Sequence, residues 1–99
     1  MKLVRLTSGE EIIGNITEDS AGNITIVDGH QLIPAGEGKI GFMAFMAYSK
    51  NAESGVHIKE RDVMFIVDPV DAMVDQVQNM LDAANPHKII TPKKQGIIV

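Results

Sequence analysis

The sequence predicts a mainly β fold, an antiparallel meander of short strands followed by one C-terminal helix. Three observations predict it. Short apolar runs separated by Gly-, Pro-, Asn- and Asp-rich turns recur from residue 3 to residue 67. The connections between them leave no room for crossover helices, which excludes a parallel sheet. A single stripe of helical period then follows Pro69. With 99 residues the chain makes one small domain, burying roughly 60–70% of the surface its unfolded state exposes. The expected division is a domain over 1–84, helix included, and a basic tail over 85–99.

Leu3 to Leu6 reads as the first strand, ended by Ser8-Gly9. Glu11 to Thr17 is the second, with Ile12, Gly14 and Ile16 on one face. The turn cluster Glu18 to Asn23 leads into Ile24 to Val27. Asp28-Gly29 leaves two readings open: a two-residue hairpin turn, or a glycine bend inside one long strand ending at Pro34. Pro34 to Gly38 is a loop. Ile40 to Met46 is apolar on both faces, as in a central strand or one pressed against another subunit. Ser49 to Gly55 is a polar loop, and Val63 to Val67 is the last strand.

Asp68 and Pro69 suit an N-cap and a first helical position, so the helix is expected over about 69–84. Met73, Val74, Val77, Met80, Leu81 and Ala84 lie 3, 4, 7, 10, 11 and 14 residues from Val70, one apolar stripe. A lone helix this short is marginal in water, so the stripe is expected to cover an open end or side of the sheet. Met64, Met73 and Met80 are read as core rather than as a pliable partner groove. Asn85-Pro86 stops the helix, and the closing Gly96-Ile97-Ile98-Val99 is either frayed or an added strand on a neighbour's edge.

Composition narrows the function. Cys is absent, which excludes disulfides, thiol catalysis and Cys-based metal sites. No apolar run approaches the ~20 residues of a membrane span, and Met1 to Arg5 opens no signal peptide, so a cytoplasmic location is expected. Residues 1–84 hold six basic and thirteen acidic groups, a net −7, whereas 85–99 are +3. A body at −7 repels phosphate at long range, so duplex DNA is not an expected partner. His30, His57 and His87 lie 27 and 30 residues apart with no acid at ligand spacing, and are read as surface residues rather than metal ligands. Gly36-Glu37-Gly38-Lys39 lacks phosphate-loop spacing, no Ser sits in a nucleophile elbow, and adjacent Glu10 and Glu11 point to opposite faces of a strand. No enzyme, cofactor or metal is expected.

One stretch carries a family resemblance. Val4-Arg5-Leu6-Thr7-Ser8-Gly9-Glu10-Glu11-Ile12-Ile13-Gly14-Asn15-Ile16 resembles the first motif of Sm and Sm-like proteins: an apolar strand, a turn Gly, four residues, a second Gly and an apolar residue two further on. Asp19, Asn23 and Ile24 match the family's next loop, after an interval one residue shorter than usual. Ile58 to Ile66 fits the spacing of the second motif, with Lys59 in place of Arg and Glu60 in place of Gly. The resemblance covers about 2–67, with a loop insertion at 49–55, and looks most like divergent members from phages or environmental sequence. The helix is a departure, since the family usually carries one before its first strand.

The resemblance implies a small, strongly bent, five-stranded antiparallel Sm-like (SH3-like) barrel. It also implies rings, with the fourth strand of one subunit paired to the fifth of its neighbour, and single-stranded RNA as ligand. Carried over residue by residue, Asp19 orients the loop, Ala21 takes the base-stacking position, Asn23 reads the base edge, and Lys59 closes the pocket. Ala21 has no ring to stack. For Asp19 and Asn23 plain turn chemistry is the competing reading. Two functions follow: an Sm-like RNA-binding ring, or an Sm-like assembly or protein-interaction module, for instance phage-encoded, that binds no RNA. Missing stacking, Glu60 and the −7 body favour the second; the Asp19 to Asn23 spacing favours the first.

Overall fold

A computed structural model describes residues 1–84. The expectations for the tail 85–99, including the Asn85-Pro86 stop, His87 and the closing triplet, lie outside the described residues. The chain divides into two compact units, Met1–Pro69 and Val70–Val99.

The first unit is an antiparallel sheet. Its strands are β1 (Lys2–Leu6), β2 (Glu11–Glu18), β3 (Ile24–Pro34), β4 (Ile40–Ala44), β5 (Val56–Ile58) and β6 (Val63–Val67). The order is β4-β3-β2-β1-β6, with β5 also on β3. Alternating apolar residues give the sheet a buried face: Val4 and Leu6 of β1, Ile12 of β2, and Ile24 and Ile26 of β3 form the core. Ile16, Phe45, Ile58, Val63 and Ile66 pack around it. Gly9, at φ 107, takes the left-handed turn between β1 and β2.

Asp28-Gly29 lies within β3, so the bend reading holds and the hairpin reading falls. Ile13 pairs with His30 and Asn15 with Val27, so Gly14 alone faces both Asp28 and Gly29, a β-bulge. The close approach explains the residue type. A Cβ on Gly29 would stand 2.6 Å from Ile26 Cγ2 and 3.1 Å from Ile12 Cγ2, and one on Gly14 would stand 3.0 Å from Gly29 Cα. Asp28 takes the bend with φ 53.

The mainly β, antiparallel fold with a following helix is as expected, but the described residues form six strands rather than five, and β5 was not foreseen. β4 pairs with residues 30–34 of β3 and β5 with residues 24–26, both antiparallel. Because β2 occupies the other side of β3, the two short strands share one edge. They are the halves of one partner strand, interrupted by residues 45–55. Phe45 N donates to Gly29 O at 2.8 Å, and Asp28 N to Ala52 O at 3.2 Å, pinning the excursion at the bend. The sheet is not closed: β4 and β6 end the hydrogen-bonded path among the described residues. Ile40 to Ala44 is therefore an edge strand, not a central one. Met64, expected in the core, is 52% exposed because β6 is the other edge.

The second unit carries α1 (Asp71–Ala84). It starts two residues later than expected. Val70 O accepts from Met73 N and Val74 N, so the first turn opens there rather than at Asp68. The Asp68 carboxylate instead accepts from Lys2 Nζ and pairs with it. The Lys2 ammonium beside it holds the Asp68 carboxyl below the usual range. The stripe holds from Met73 to Leu81, with Val77 fully buried and Met73, Val74, Met80 and Leu81 half-buried, but Val70, expected in it, is exposed because it precedes the helix.

Candidate functional site

The loop between β2 and β3 is built on one carboxylate. Asp19 Oδ1 accepts from Ala21 N at 2.9 Å and from Asn23 N at 3.0 Å, while Oδ2 accepts from Asn23 Nδ2 at 3.1 Å. The backbone closes the same turn, Asp19 N donating to Asn23 O at 3.0 Å and Gly22 N to Asp19 O at 3.1 Å. The Asn23 amide beside Asp19, with the backbone N–H groups of the turn, holds its carboxyl below the ordinary value. Turn chemistry therefore does operate here, and Asp19 orients the loop.

Asn23 does more than turn chemistry needs. Its Oδ1 accepts from Glu60 N at 2.9 Å, tying the loop to the turn of 3-10 helix at Glu60–Asp62. An amide group offers two N–H donors and two carbonyl lone pairs. One of each is used on Asp19 and Glu60, leaving one of each for a ligand. The tie runs through the Glu60 backbone, so Glu in place of Gly keeps it.

The β5 to β3 register brings the second element in. Ile24 faces Ile58 and Thr25 faces His57. Continued by one residue, that register sets Lys59 opposite Asn23. Residues two apart on a strand share a face, so Asn23 and Thr25 stand with His57 and Lys59 on one surface. A pocket of about 230 Å³ opens there, lined by Asp19, Asn23, His57, Ile58 and Lys59. Among the described ion pairs none involves Lys59, so its ammonium is available to a ligand. His57 Nδ1 lies 2.9 Å from Thr25 Oγ1.

Of the four residues singled out from sequence, Asp19, Asn23 and Lys59 come together. Ala21 does not join them. It lies in a neighbouring groove of about 610 Å³, lined in part by Glu18, Glu60, Phe65 and Ile66. Glu60 lines that groove and is not among the residues lining the Asn23 pocket. His57 is exposed, as read from sequence, but it also lines this pocket, a place not singled out from sequence. The available signal was its place two residues before Lys59, which puts the two on one face of any strand. No group of three His, Asp or Glu that could hold a metal occurs among the described residues. The arrangement can offer hydrogen bonds to a planar edge, one positive charge and one ring.

No family's sequence pattern and no curated protein matches the chain. In structure it is similar to a heptameric archaeal Sm protein, at 20% identity and a TM-score of 0.46, over 70% of this chain and 84% of that one.

Proposed function

We propose that the protein is an Sm-like RNA-binding protein acting as a ring oligomer, with single-stranded RNA held between the 19–23 loop and Lys59. The observation that carries this reading is Asn23. Its side chain is fixed on two sides by Asp19 and Glu60, yet keeps a donor and an acceptor beside Lys59. A preoriented amide next to a free cation suits a base edge and its phosphate. The ring reading rests on the two open sheet edges, which expose Ile40 and Met43 on β4 and Met64, Phe65 and Val67 on β6. The −7 body opposes RNA everywhere but locally, so binding is weak and strongly salt-dependent.

The test is titration with oligo-uridine at low and raised salt. Asn23→Ala reduces base preference with a modest loss of affinity. Lys59→Ala weakens all sequences alike and flattens the salt slope. Absence of binding at low salt, or binding indifferent to both variants, contradicts the reading. A second reading, an assembly or protein-interaction module without RNA, is favoured by the wider groove, lined by Glu18, Asp19 and Glu60 together with Val63, Phe65 and Ile66.

A further inference from the structure

We infer that His57 is the stacking residue of this pocket, supplying from β5 the ring that Ala21 cannot supply from the loop. The inference rests on the RNA reading and adds a residue to it. Three features carry it. His57 lines the same pocket of about 230 Å³ as Asn23 and Lys59. It is exposed, so its face is open to a ligand. It is also held, because Nδ1 is hydrogen-bonded to Thr25 Oγ1 at 2.9 Å on the strand opposite.

That bond leaves the ring face and Nε2 unused. A Thr hydroxyl both donates and accepts, so it holds the ring in either tautomer. Thr25 is thus a positioning residue. A ring fixed before binding loses less freedom when a base lands on it. Base–aromatic stacking tolerates any base, so His57 adds affinity while Asn23 adds preference.

The experiment compares oligo-uridine and oligo-adenosine binding by the wild-type chain, His57→Ala, His57→Phe, Thr25→Val and Thr25→Ser, while following the His57 ring protons by NMR. His57→Ala is expected to weaken both oligomers about fivefold or more, and His57→Phe to retain most of the affinity. Thr25→Val weakens binding less than His57→Ala does, and Thr25→Ser restores it. In the wild type the His57 ring protons shift on addition of either oligomer. Equal losses in His57→Ala and His57→Phe overturn stacking and leave the imidazole as a hydrogen-bond donor only. Binding that depends on Asn23 and Lys59, with no effect at His57 and no ring-proton shift, overturns this inference but not the RNA reading. No binding by the wild type overturns both.

Discussion

Asp19 gathers three hydrogen bonds on two oxygens, and the consequence is a loop whose order depends on pH. A carboxyl whose folded value is lowered favours the folded loop fully above the ordinary aspartate value of about 3.9. The contribution is lost as pH falls through the lowered folded value. The Ala21 and Asn23 amide protons, both donated to Asp19, report it. Their NMR shifts are expected to titrate with a midpoint below that ordinary value, and a midpoint at or above it contradicts the hydrogen-bond account. Asp19 and Asn23 were readable from sequence because Asx turns are local. The placement of His57 beside Asn23 and Lys59 was not readable, because it depends on β5, a three-residue strand that no periodicity marks.

At the scale of elements, the bend in β3 decides the shape of the sheet. Gly14 and Gly29 face each other across the bulge, and the side chains of Ile12 and Ile26 close over Gly29. Gly29→Ala is therefore expected to destabilise the fold by about 1–3 kcal/mol, through overpacking rather than backbone strain. Ile12→Ala, which empties a fully buried position, is expected to cost about 2–5 kcal/mol. Urea unfolding checks both, and an unchanged midpoint for Gly29→Ala contradicts the close packing. Strand positions in β1, β2 and β3 followed from alternation and turn residues. The choice between hairpin and bend at Asp28-Gly29 did not, since both use the same two residues. It was settled by long-range pairing on either side. The helix starts two residues later than its sequence signal, and Asp68, a competent cap by type, is paired with Lys2, 66 residues away.

At the scale of the molecule, the proposed assembly rests on the two edge strands of the described sheet. Large apolar residues stand on both edge strands, with Met43 52% and Phe65 47% exposed. Edges of this kind invite pairing with another copy, and head-to-tail pairing either closes into a ring or runs into a fibre. Met43→Lys and Phe65→Lys are each expected to lower the assembled mass while leaving the far-UV circular dichroism unchanged, because neither side chain belongs to the core. A variant that keeps the wild-type mass places the contact elsewhere. The apolar character of Ile40 to Met46 was plain in the sequence; its place on an edge, with Val63 to Val67 on the other, followed from the strand pairing that the family resemblance implies and not from the apolar pattern alone, because a central strand buried on both faces reads the same way.

Light scattering of the purified chain, with and without oligo-uridine at low salt, tests the central claim most directly. The account predicts a discrete multiple of the 10.7 kDa subunit mass that rises by the mass of bound RNA when the oligomer is added. A single species at 10.7 kDa at micromolar concentration, unchanged by RNA, would contradict it.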